Sequence, residues 1–227
     1  MDADNELKLK LALFDIDEII LTCDSTLSFL RFFLNEYYGT IAGTKKLDYL
    51  LHHITNNPED YSTKELINQY YYMSFKGINA TILKNIGKKW FEKNVLENSG
   101  AFNEKVLERL KNHQREQYKI VLVSGGFFAP LDPLIAYLSI EHYFYVTPHI
   151  RDGLLTGELK GIQTVGLGKF IAIMKHFHNK NVDWQQSYAY GSHFSDVPVL
   201  NRVGHSVIVG ADQHLLQIAN DKKWEII

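Results

Sequence analysis

The chain changes hydrophobic rhythm twice. Leu9-Lys-Leu-Ala-Leu-Phe14 is short, apolar and closed by Asp15, the pattern of a buried strand. From Thr26 to about Leu110 the spacing becomes helical. Leu27, Leu30, Phe33, Leu34 and Tyr37 fall on one face, and Leu66, Tyr70, Met73 and Ser74 begin another. Gly39, Gly77 and the Asn56-Asn57-Pro58 turn punctuate this stretch. Ser62-Thr63-x-x-Leu66, with Glu65 in the first turn, reads as a helix start.

After Lys119 strands and helices alternate. Ile120–Val123 is a β-branched run followed by Ser124-Gly-Gly126 and a helical Leu131–Leu138. Tyr143–Val146 reads as a strand, and Arg151–Gly157 as a hairpin with Asp152-Gly153 at its tip. Gly168 and Lys169 open an amphipathic helix to about His176, and Ser187–Tyr190 and Ser206–Val209 are the last strands. Such alternation implies an α/β fold with a mostly parallel, Rossmann-like sheet. The helical block of 26–98 reads as a cap inserted after the first strand, with 1–25 and 99–227 forming the core.

Composition narrows the class. An apolar fraction of 45% in 227 residues is ample for a packed core. Lysine and arginine number 24 against 26 acidic residues, which predicts no nucleic-acid or anionic-membrane surface. The longest uncharged apolar run, Ile120 to Leu131, stops short of a membrane span at Asp132. The single cysteine, Cys23, cannot form an internal disulfide, and the acidic start Met1–Glu6 is unlike a signal peptide. A soluble cytoplasmic protein is expected.

In an open parallel sheet, ligands bind outside the carboxyl ends of the strands. Four clusters stand there: Asp15 and Asp17; Ser124-Gly125-Gly126; Lys169 at a helix start; and Gly191-Ser192-His-Phe-Ser-Asp196. Carboxylates, an amine, a hydroxyl and glycine amides on one edge suit phosphoryl transfer through a covalent intermediate. A carboxylate can attack phosphorus when both negative charges are neutralised together, by a lysine and a divalent cation held by oxygen. Asp17, two residues from the attacking group, could act as acid and base. A dinucleotide site would need a glycine motif after the first strand, and residues 15–22 contain no glycine.

Four elements in order carry a resemblance: Phe14-Asp-Ile-Asp17, Val121-Leu-Val-Ser-Gly-Gly-Phe127, Gly168-Lys169 and Tyr190-Gly-x-x-x-Ser-Asp196. Asp152–Gly157, Asp196–Leu200, Val209-Gly-Ala-Asp212 and Trp224 agree with it. The chain resembles the phosphoserine-phosphatase-like branch of the haloacid dehalogenase (HAD) superfamily. The resemblance implies a HAD core with a helical C1-type cap, and a Mg²⁺-dependent phosphatase acting on a small phosphorylated metabolite. By the same likeness Asp15 is the nucleophile and Asp17 the acid/base; Ser124, Gly125 and Lys169 hold phosphate; and Asp15, Asp17 and Asp196 hold the metal, with Ser192 a weak replacement for the family's aspartate. Glu18-Ile19 stands where the family has Gly-Thr. These departures keep a second reading open, a HAD-fold protein that binds a phosphorylated ligand or a protein partner without efficient turnover. His52-His53 and His176-x-His178 lack partners at metal-ligand spacing and read as helix-surface residues; Tyr70–Tyr72 and Phe32-Phe33 read as cap packing.

Overall fold

The computed structural model describes residues 8–57, 63–210 and 213–227. The acidic start, Pro58, Ser62, Ala211 and Asp212, all read above from sequence, lie outside them. In chain order the elements are β1 (Leu11–Phe14), α1 (Ser25–Tyr38), α2 (Thr40–Asn56), α3 (Lys64–Met73), α4 (Ala80–Phe91) and α5 (Glu104–Arg115). Then come β2 (Lys119–Val123), α6 (Phe128–Tyr137), β3 (His142–Phe144), β4 (Thr147–Arg151) and β5 (Leu154–Lys160). The chain ends with α7 (Leu167–Phe177), β6 (Tyr188–Gly191), α8 (Val197–Leu200), β7 (His205–Ile208), α9 (Gln213–Lys222) and β8 (Glu225–Ile226).

Six strands form one parallel sheet in the order β3-β2-β1-β6-β7-β8. The fold is the α/β, Rossmann-like form expected. Every residue of β1 is buried, because helices cover both faces of a parallel sheet. Its side chains alternate between two cores: Ala12 and Phe14 face α5, α6 and the helical block, while Leu11 and Leu13 face α7 and α9. The strand order reverses direction between β1 and β6. That reversal opens a crevice beyond their carboxyl ends, where Asp15 and Ser192 follow directly.

The helices α1–α4 are docked on the core by an aromatic cluster centred on Phe127. Its ring lies 5.7 Å from that of Phe29, 5.2 Å from Tyr72 and 5.2 Å from Phe75. α4 crosses α6 so closely that a Cβ on Gly87 would stand 1.9 Å from the Ala129 carbonyl oxygen, so only glycine fits there. The β4–β5 hairpin turns at Asp152-Gly153 and is laced to the block by Gly77 N–H to Leu155 O (2.7 Å), Leu155 N–H to Ile78 O (2.9 Å) and Ala80 N–H to Gly153 O (2.9 Å).

Two helix faces differ from the sequence expectation. On α1 the buried set is Phe29, Leu30, Phe33 and Leu34, whereas Leu27 and Tyr37 are 36% and 42% exposed. α1 packs against α4, α2 and α6 and leaves Leu27 facing the cleft described below. On α3 the buried residues are Tyr71 and Tyr72, while Leu66 and Met73 are exposed. The two tyrosines turn toward Phe75 and Phe127, which fixes the face. Thr63 caps α3 as expected, accepting from Leu66 N–H at 3.3 Å. Among the described residues no helix is long and apolar enough to cross a membrane.

Candidate active site

Asp15 sits one residue past β1, its amide donating to Tyr190 O (3.4 Å) and its Oδ1 accepting from Ile16 N–H (2.8 Å). Lys169, in the first turn of α7, reaches across the crevice. Its Nζ donates to Asp15 Oδ2 at 2.5 Å and to Asp196 Oδ1 at 2.8 Å. The side chains of Lys169, Asp15 and Asp196 are 8%, 14% and 5% exposed, so the triad is shielded from water. Asp196 Oδ2 in turn accepts from the amides of Ser192 and His193, each at 3.2 Å. The loop after β6 therefore folds back on its own carboxylate, and the His193 side chain closes a capping box around Asp196.

Burial opposes every charge in this triad, and the pairing decides which survive. Burial pushes Asp15 above the usual carboxylate range despite the adjacent Lys169 ammonium. It works the same way on Asp196, but there Lys169 and the two loop amides prevail and hold the carboxyl below its ordinary value. For Lys169 burial favours loss of the proton, yet Asp15 and Asp196 outweigh it and raise the ammonium pKa.

Asp17 occupies a different setting. Its Oδ1 accepts from the Ser25 amide at 2.7 Å, and Asp24 Oδ1 accepts from Leu27 N–H at 3.0 Å, so two carboxylates serve the N-terminus of α1. Burial first, then the charges of Asp15 and Asp24, raise Asp17 to about 7, against the lowering effect of Ser25. A carboxyl that titrates near neutrality beside a buried carboxylate has the property required of an acid that later serves as a base. The residue between this pair and α1 carries backbone strain: Glu18 has φ +59°, the left-handed region glycine adopts freely. The turn is made here by a glutamate, whose exposed side chain lines the cleft. Ile19 is fully buried.

The loop after β2 supplies the far side. Ser124 is wholly buried; its hydroxyl accepts from Gly126 N–H at 3.0 Å and its carbonyl accepts from the Thr164 hydroxyl at 2.5 Å. Gly125 lines the cleft, and a Cβ there would meet Val165 Cγ1 at 2.6 Å. Tyr72 donates to the Gly125 carbonyl at 3.0 Å. The structure thus brings Asp15, Asp17, Gly125, Lys169 and Ser192 to the wall of one cleft of about 480 Å³, with Asp196 and Ser124 immediately behind it. Sequence reading missed Tyr72, Ser25 and Thr164. Tyr72 and Thr164 donate to backbone carbonyls of a site loop and Ser25 donates its backbone amide to Asp17, roles without a spacing signal.

Among the described residues no group of three or more His, Cys, Asp or Glu is placed to hold a metal. The oxygens available, from the Asp15 and Asp196 carboxylates, the Asp17 backbone carbonyl and the Ser192 hydroxyl, are the hard donors that Mg²⁺ takes. The donor set fits the ion in kind, with one carboxylate fewer than three.

Comparisons with known proteins bear on the fold and the family. The family model for haloacid dehalogenase-like hydrolases matches residues 12–201. A protein of Mycobacterium tuberculosis named a probable phosphatase is 22% identical over 216 residues, 95% of this chain and 74% of that one. A Bordetella pertussis Tohama I protein of unknown function superimposes with a TM-score of 0.82 at 21% identity, over 97% of this chain and 98% of that one. A phosphoserine phosphatase solved as a phospho-aspartyl intermediate analogue gives a TM-score of 0.66 at 17% identity, over 96% and 92% of the two chains. The chain belongs to the haloacid dehalogenase-like hydrolases.

Proposed function

We propose that this chain is a Mg²⁺-dependent phosphomonoesterase that acts on a small phosphorylated metabolite through an aspartyl-phosphate intermediate. The observation that carries the reading is the placing of two aspartates, two residues apart, on one cleft. Asp15 is bound to an ammonium that also bridges Asp196, while Asp17 accepts from the Ser25 amide and is pushed by burial up to about 7. We assign residues 26–98 as the cap and the remainder as the core.

In the first step an Asp15 carboxylate oxygen bonds to phosphorus and the phosphorus–oxygen bond of the ester breaks. The departing alkoxide takes the proton of Asp17. In the second step Asp17, now a carboxylate, takes a proton from water as that water attacks the phosphorus of the aspartyl phosphate. Inorganic phosphate leaves and Asp15 is restored. Lys169 offsets the charge gathered on the phosphoryl group, and Gly125, which lines the cleft, would donate its amide to a phosphoryl oxygen. Ser124, whose hydroxyl accepts from Gly126, still has its proton to give the same group. Asp15, Asp196, the Asp17 carbonyl and, weakly, Ser192 would hold Mg²⁺, which neutralises phosphoryl charge when bound.

A second reading, binding without efficient turnover, draws on Ser192 and on Asp196, whose oxygens are already engaged by Lys169 and two amides. Release of aryl alcohol from an aryl phosphate in the presence of Mg²⁺ separates the two. The phosphatase reading predicts turnover that Asp15→Asn removes. Equal rates for the two proteins with every divalent metal tried would favour the second.

A further inference from the structure

The catalytic groups occupy only one wall of the cleft. The opposite wall is built by the helical block and is hydrocarbon: Leu27 and Leu30 of α1, Leu50, Leu51 and Ile54 of α2, and Ile67 of α3. Leu50, Leu51 and Ile54 recur at helical spacing, so α2 turns one continuous apolar stripe toward the cavity. Leu27 and Ile67 keep more than a third of their surface exposed, which an apolar side chain does at a cost unless something covers it.

Among the described residues, the Asp24, Thr26, Asn68 and Tyr71 groups on that wall are committed to the protein. The Asp24 carboxylate accepts from Leu27 N–H at 3.0 Å and from the Thr26 hydroxyl at 2.5 Å. The Asn68 amide donates to Gln163 Oε1 at 3.1 Å, and the Tyr71 hydroxyl donates to Thr26 O at 3.2 Å. Among the described residues of the block, Lys64 is the one cation on the wall. A zwitterionic leaving group such as serine needs an anion for its ammonium as well as a cation for its carboxylate. Among the described residues the carboxylate on this wall, Asp24, is the cap of α1, and Glu18 lines the cleft beside the catalytic pair.

We infer that the substrate is a phosphate monoester of an aliphatic alcohol. Its phosphate faces Asp15 and Lys169, and its hydrocarbon chain lies against Leu27, Leu50, Leu51, Ile54 and Ile67. The inference rests on the phosphatase reading for the position of the phosphate. A cleft of about 480 Å³ falls in the ordinary range for small ligands, large enough for a phosphate and a chain of several methylenes.

The test uses the full chain with Mg²⁺ and three sets of probes: acetyl phosphate, phosphoserine, and ethyl, butyl and hexyl phosphates, with the matching alkylphosphonates for equilibrium binding. The expected result is a kcat/KM that rises about fourfold per added methylene and exceeds that for phosphoserine by butyl phosphate. Ile54→Asp should flatten the chain-length series, with its melting temperature measured to show that it folds; should it not fold, Leu51→Asn takes its place. Turnover of acetyl phosphate with no gain along the alkyl series, or with phosphoserine the better substrate, overturns the inference while leaving the phosphatase reading intact. If no phosphate ester is turned over, the phosphatase reading fails instead. The phosphonates then decide: affinity rising with chain length supports the apolar wall as a ligand site, and equal affinities overturn it.

Discussion

The Tyr72 hydroxyl, carried by a helix inserted after the first strand, donates to the backbone carbonyl of Gly125 in the loop after β2, at 3.0 Å. Tyr72 is buried and Gly125 half-buried, and the bond ties the helical block to the loop assigned to phosphate. Tyr72→Phe keeps the ring against Phe127 and leaves the carbonyl without its partner. The expected loss is about 1–3 kcal/mol of stability, read from urea denaturation, with a raised inhibition constant for inorganic phosphate. A stability change with no effect on phosphate inhibition would separate Tyr72 from the site.

Asp17 gives a pH dependence with a definite sign. Its carboxyl lies at about 7 when folded against a model value of 3.8. Between these values the folded state binds more protons than the unfolded one, so this group's stabilising effect is complete below about 3.8 and is lost as pH rises through about 7. Asp17→Asn retains an oxygen for the Ser25 amide and removes the charge. In chelator, the stability of the variant relative to the parent should rise by about 4 kcal/mol across that window. Activity should be lost in the same protein. A difference independent of pH would contradict the assignment of Asp17 as the neutral-range acid.

On the proposed reading, Ser192 would offer Mg²⁺ a hydroxyl and no charge. Ser192→Asp should tighten Mg²⁺ binding about tenfold or more, since affinity for hard cations follows ligand charge. Calorimetric titration of the two proteins measures it. An unchanged dissociation constant would place the cation elsewhere.

Glu18 holds φ +59° without being glycine. Glu18→Gly relieves a strain of about 1 kcal/mol but adds unfolded-state freedom of similar size, so thermal unfolding should show a net change within about 1 kcal/mol. A larger loss would mean that the Glu18 side chain supports the folded site, and Mg²⁺ affinity of the variant would show whether it does so through the metal.

Much of this was legible because chemistry at strand ends leaves marks at fixed places. Asp15, Ser124, Lys169 and Ser192 each adjoin a strand or helix whose apolar run is clear, and parallel pairing brings those ends together. The hairpin at Asp152-Gly153 announced itself by turn chemistry. The helical block was harder. Leu27 looks like a core residue in the sequence, yet it lines a cavity. The buried tyrosines of α3 look interchangeable with Tyr70, and only packing on Phe127 selects Tyr71 and Tyr72. β8, two residues long, is too short to show a period. The positive φ at Glu18 had no local signal either, because glutamate is not the residue that such a turn prefers.

The most direct measurement is acid quench of the protein during turnover of an aryl phosphate, followed by mass spectrometry of its peptides. The account predicts a phosphoryl group on the peptide carrying Asp15, sensitive to hydroxylamine as an acyl phosphate is, and absent from Asp15→Asn. Turnover that persists in Asp15→Asn, or a phosphoryl group trapped on any other residue, would contradict it.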